Sequence, residues 1–145
     1  EAERHEDQMI VNQRMDQHFS RRDEAIARAT IFVANHMPVR AIASLTESGA
    51  TALWMSRINS AVPIYALTPH IGTRRKVTLY RGVHPVAFEL TSTDPAVVMT
   101  EAVDELRRRG AVRDGDLVIL TIGEPLAKPG GTNTMKMVRV GELTA

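Results

Sequence analysis

The chain contains no cysteine, which removes disulfides, thiolate metal sites and cysteine nucleophiles and leaves a reducing compartment open. Charge of one sign is also missing. Eighteen Lys and Arg stand against seventeen Asp and Glu, a net charge of +1, far from the sustained basic surplus that non-specific nucleic-acid binding needs. No run approaches the roughly 18 apolar residues of a membrane span. The acidic opening from Glu1 to Asp7 lacks the basic-then-apolar order of a secretory signal. These absences predict a soluble, cytoplasmic protein with neither nucleic acid nor membrane as partner. What the chain does have is apolar material, 43% of 145 residues, enough for one core and therefore one main domain. Fifteen of its basic residues are Arg and three are Lys, a preference that suits planar recognition of carboxylate or phosphate but also accompanies high-GC coding. The first residue is Glu1 rather than Met, which predicts a chain processed, trimmed or cut from something larger.

Residues 1–22 are polar with scattered apolar side chains and no sustained period, which predicts an arm or linker. Ser20 followed by Asp23 resembles a capping box, and Ala25, Ile26, Ala29, Phe32 and Val33 share one helical face, so a helix is expected over 23–36, ending before Pro38. Ala41 to Leu45 and Asp116 to Ile122 are short apolar runs of the kind that form strands buried on both faces. A second strand is expected over Val62 to Leu67, with Pro63 at its start, and a third over Val83 to Phe88 despite Pro85. Ala50 to Ile58 is helical in composition, and Trp54 and Met55 within it are expected to pack in the core or at a subunit contact. Thr93-Asp94-Pro95 supplies an N-cap for a helix with Val98, Ala102, Val103 and Leu106 at helical spacing, running to Gly110. A last strand is expected over Thr134 to Val140. Strands alternating with helices predict a largely parallel sheet in a three-layer α/β/α domain. The final connection, about ten residues with no helical pattern, is too short for a parallel crossover, so the last strand should be an antiparallel edge. Lys136 and Arg139 on it would discourage edge-to-edge aggregation.

Two loops could carry chemistry. Thr46-Glu47-Ser48-Gly49-Ala50-Thr51 joins a strand to a helix, so hydroxyls and free helix amides would converge at a strand's carboxyl end as a phosphate cradle. The competing role for Thr46, Ser48 and Gly49 is to stabilise an ordinary helix start. Lys128-Pro129-Gly130-Gly131-Thr132-Asn133-Thr134 could wrap the same anion, or serve only as a long turn. No Gly-Lys-Ser/Thr follows either loop, which excludes a Walker phosphate loop. His70, at the end of the second strand, is a further candidate for the same crevice. The five histidines lack metal-pair spacing, and no nucleophile, base and acid stand in a recognisable order. Neither a metal site nor a catalytic constellation is expected.

From about Asp23 onward the chain resembles the C-terminal domain of pyruvate kinase. The resemblance is carried by Asn35-His36, Leu45-Thr46-Glu47-Ser48-Gly49 with Thr51-Ala52, Ser56-Arg57, Pro63-Ile64-Tyr65-Ala66, Leu79-Tyr80-Arg81-Gly82-Val83, Gly115 to Ile119 and Gly131-Thr132-Asn133-Thr134-Met135, all in order. It implies a mixed five-stranded sheet of order 3-2-1-4-5 and makes residues 1–22 the stretch leading out of a catalytic barrel. It also implies that the divalent metal (Mg2+ or Mn2+) and K+ belong to that barrel, with no cofactor held by this chain. By the same resemblance the domain binds a phosphorylated effector and pairs with its counterpart in a homo-oligomer. Thr46, Ser48, Gly49 and Thr51 match the family's phosphate loop, and Lys128, Gly130, Gly131 and Thr132 the loop that closes over the effector. Glu47 and Ala50 stand where many members carry basic residues, and the Trp and Arg that hold a second phosphate have no counterpart between Glu89 and Ala102. The resemblance therefore points to a sugar monophosphate or AMP rather than fructose 1,6-bisphosphate, as in a bacterial class of the family. The alternative is a free-standing domain of this fold that binds a small molecule or partner without a kinase barrel.

Overall fold

The computed structural model describes residues 21–123, 126 and 131–142. Its elements run α1 (Arg22–His36), β1 (Val39–Leu45), α2 (Ala50–Ser56), β2 (Ile64–Thr68), α3 (Ile71–Val77), β3 (Val83–Ala87), α4 (Pro95–Arg108), β4 (Leu117–Gly123) and β5 (Thr132–Arg139). The five strands form one sheet in the order β3-β2-β1-β4-β5. The first four are parallel and β5 is antiparallel to β4, with Val118 opposite Val138 and Ile122 opposite Thr134. The mixed sheet and its antiparallel edge thus have the expected form. Pro85 sits in β3, an edge strand, where a missing amide breaks no interior ladder. The arm expected over 1–22 lies, up to residue 20, outside the described residues.

Alternation along the strands splits the core in two. Ala41, Ala43 and Leu45 of β1 with Val118, Leu120 and Ile122 of β4 face the side covered by α4, whose Val98, Ala102, Val103 and Leu106 are all buried there. Ile42, Ile64, Ala66 and Ile119 face the other side, covered by α1, α2 and α3. α4 starts as its sequence dictates: Asp94 Oδ1 accepts the Ala96 amide at 3.0 Å, with Pro95 in the first turn.

Three expectations need correction. The N-cap of α1 is Arg21, with no side-chain cap bond, and Asp23 accepts the neighbouring Glu24 amide instead of completing a capping box; Ser20 lies outside the described residues. The buried face of α1 is Ala27, Ile31 and Ala34, not the stripe with Phe32, which is 64% exposed. Apolar residues occupy more than one side of this helix, so spacing alone does not identify the inward side. The third concerns α3, a helix not expected at all: only Thr73 and Val77 are buried along it, too few positions to form a readable period. Within α2, Met55 is fully buried, whereas Trp54 is half-buried.

Candidate functional site

Because β5 runs opposite to the other strands, its first residues lie at the same end of the sheet as the last residues of β1 to β4. A crevice opens there. Its polar wall is Thr46 and Ser48 after β1, Thr51 in the first turn of α2, Gly131 before β5 and Thr132 at its start; its apolar wall includes Leu67, Phe88, Leu90 and Ile122. The carboxyl ends of parallel strands are where the open α/β architecture leaves backbone groups and side chains free to meet a ligand.

The loop after β1 is held by its own hydroxyls. Thr46 Oγ1 accepts the Gly49 amide at 2.8 Å and Ser48 Oγ accepts the Ala50 amide at 3.3 Å. The turn-stabilising role considered for these residues is therefore real, and each hydroxyl keeps its proton to donate. Gly49 has φ of +82°, and a Cβ on it would meet Val77 Cγ1 at 2.9 Å, so both conformation and space demand glycine. The loop before β5 joins this one through a bond between residues 81 positions apart: buried Thr51 Oγ1 donates to buried Thr132 Oγ1 at 2.8 Å. Beneath it the backbone closes tightly, since a Cβ on Gly123 would lie 2.6 Å from the Gly131 carbonyl oxygen. Thr46, Ser48, Thr51, Gly131 and Thr132 are thus brought to one crevice, with Gly49 behind it. Lys128 and Gly130 lie outside the described residues.

His70 precedes α3 at the rim. Its Nε2 meets Glu47 Oε2, and because an ionised carboxylate only accepts, the imidazole nitrogen carries the shared proton. Glu47 is further fixed through its backbone carbonyl, which accepts from Thr73 Oγ1 at 2.7 Å. The sequence offers Glu47 only as a member of the first loop and Thr73 not at all, because the contacts that give them a place at the site join segments that follow the neighbouring strands β1 and β2. Among the described residues, Glu47 is the only ionisable side chain lining the crevice, and no group of three His, Asp or Glu could hold a metal ion. The free space inside is about 30 Å3, room for one or two waters at most, so a larger ligand has to widen it.

A wider groove of about 370 Å3 lies on the α1 and α2 side, lined by Glu24, Arg28, Trp54, Arg57, Ile58 and Asn59. There two guanidinium groups lie over the Trp54 ring, Arg21 at 5.3 Å and Arg57 at 5.2 Å from its centroid. It has volume but no convergence of loop hydroxyls, and the strand-end crevice has that convergence with little volume.

The family described as "Pyruvate kinase, alpha/beta domain" matches residues 24–138, most of the chain. The chain belongs to this family. Among curated relatives, "Pyruvate kinase II" of Salmonella typhimurium is 43% identical over 132 residues, which is 90% of the chain and 27% of that protein. A "Pyruvate kinase" of Buchnera aphidicola is 39% identical over the same share of each. That of Sporosarcina psychrophila is 32% identical over 136 residues, 94% of the chain and 23% of that protein. The chain thus spans about a quarter of the length of the pyruvate kinases it matches, and the matched part is the α/β domain that carries both the crevice and the Trp54 groove.

Proposed function

We propose that the chain is a regulatory C-terminal domain of a pyruvate kinase, binding a phosphorylated effector in the strand-end crevice and pairing with a second copy of itself. The observation that carries the first half is the convergence of Thr46, Ser48 and Thr51 from the β1–α2 junction with Thr132 from the start of β5, locked by the Thr51–Thr132 bond. Hydroxyls and loop amides donate to phosphate oxygens without needing a fixed cation. With Glu47 as the only ionisable lining group among the described residues, the site suits one phosphate better than two, favouring a sugar monophosphate or AMP over fructose 1,6-bisphosphate. The longer protein would convert phosphoenolpyruvate and ADP to pyruvate and ATP in the cytoplasm. The resemblance would place the family's divalent metal and potassium, and with them the phosphoryl transfer, in the barrel of the longer protein.

The outward side of α1 supports the second half. Ala25, Ala29 and Phe32 are exposed there, Phe32 stacked on His36 with ring centroids 4.3 Å apart. α1 lies beside the edge strand β5, whose Met137 is also exposed. A second copy related by a two-fold axis would cover the outward apolar side of α1, while Lys136 and Arg139 on β5 oppose pairing of the strand edges themselves.

Thermal unfolding with each candidate effector tests the first half. A ligand at one hundred times its Kd should add about 2.7 kcal/mol of stability. Ribose 5-phosphate, glucose 6-phosphate or AMP should raise Tm in a saturable way, and the corresponding unphosphorylated sugar or nucleoside should not. No rise with any of them would remove the effector reading. For assembly, light scattering should report a dimer that Phe32→Asp converts to monomer.

A further inference from the structure

We infer that the Glu47–His70 pair selects the ligand of the crevice, with the Glu47 carboxylate accepting hydrogen bonds from hydroxyl groups carried beside the phosphate; this rests on the effector reading above. A cation-lined pocket would take any phosphate by charge alone. Here the described lining has one ionisable side chain, and it is a carboxylate. That carboxylate is neither free in solvent nor neutralised at random: its side chain is 16% exposed, Oε2 is bonded to His70 Nε2, and the Glu47 backbone is pinned by Thr73. Oε1 makes no hydrogen bond with any described residue.

An ionised carboxylate has about four lone-pair sites, and the imidazole occupies one. The remaining acceptors need donors. A phosphate dianion brings only oxygens and is repelled, whereas a polyol brings O–H groups. Thr46, Ser48 and Thr132, whose hydroxyl oxygens accept in the bonds above and so keep a proton to give, form the donating side of the crevice and Glu47 the accepting side. A ligand that satisfies both is a phosphomonoester with neighbouring hydroxyls. A bisphosphate would set its second phosphate against the carboxylate. In this arrangement His70 is a positioning residue: its imidazole holds the carboxylate at the rim. Arg74, on the same helix, donates to the Thr68 carbonyl at 3.0 Å.

The test is calorimetric titration of the chain with two probes of equal phosphate charge, ribose 5-phosphate and butyl phosphate, which has no hydroxyl. The unaltered chain should prefer ribose 5-phosphate at least tenfold, the scale of one hydrogen bond to a charged group. Glu47→Gln keeps the size of the side chain and removes its charge. It should tighten butyl phosphate and reduce the preference about tenfold. His70→Ala should reduce the preference severalfold, because the carboxylate loses the partner that holds it in place. If Glu47→Gln changes both affinities by the same factor, the carboxylate only repels phosphate and the inference is overturned while the effector site stands. If neither probe binds the unaltered chain, the site and the inference fall together.

Discussion

The two long helices, α1 and α4, differ by one residue in length, fifteen against fourteen, yet they relate to the sheet in different ways. α4 has one apolar stripe, and that stripe is buried where its spacing says it should be. α1 is apolar on two sides. Ala27, Ile31 and Ala34 go inward, Ile26 and Val33 are half-buried, with Val33 against the core, and Phe32 is left facing outward with Ala25 and Ala29. The difference teaches that a helix with more apolar surface than one stripe has a second surface to cover. In α1 that surplus is the surface we assign to a second copy of the chain.

The comparison breaks most forcefully from the α4 side. Leu106 is fully buried, and Leu106→Ala should cost about 2–5 kcal/mol through lost transfer energy and the cavity left behind, measured by urea unfolding. Next in size is the backbone at the crevice. Gly49→Ala must hold a left-handed conformation and push Val77 Cγ1 aside, for a loss of about 2 kcal/mol; a loss under half of that would mean the loop relaxes freely. Phe32→Ser on α1 should change the unfolding free energy of the monomer by no more than about 0.5 kcal/mol, while weakening self-association. If it destabilised the monomer as Leu106→Ala does, the outward stripe of α1 would be core after all.

The smallest effect belongs to the charged turn at the end of α4. Glu105 is held below the ordinary carboxylate range chiefly by its hydrogen bond with Arg109, at 2.9 Å, and further by Arg108. A lowered carboxyl contributes stability at neutral pH that disappears as acid protonates it. Glu105→Gln should therefore cost under about 1 kcal/mol at pH 7 and progressively less as the pH is lowered and the carboxyl protonates, checked by unfolding across that range.

What could be read from the sequence follows from how local each cause is. β1 and β4 announce themselves because strands buried on both faces are uninterrupted apolar runs, and the antiparallel β5 follows from a connection too short to cross over. The N-cap of α4 is legible because Asp94 and Pro95 act on the next residues along the chain. α3 is not, since it contributes only Thr73 and Val77 to the interior. The inward side of α1 was ambiguous for the reason its outward side is interesting. At the crevice the hydroxyl-rich loops stood out by composition. The contacts that tie them together, Thr51 to Thr132 and Glu47 to His70, span 81 and 23 positions, and only the strand order brings those positions into reach.

The location of the site is tested most simply by titrating the isotope-labelled chain with ribose 5-phosphate and following its amides by nuclear magnetic resonance. Saturable shifts should concentrate at Gly49, Ala50, Thr51, Gly131 and Thr132, with the amides around Trp54 and Arg57 unmoved. Shifts centred on the wider Trp54 groove instead, or none at saturating ligand, would contradict it.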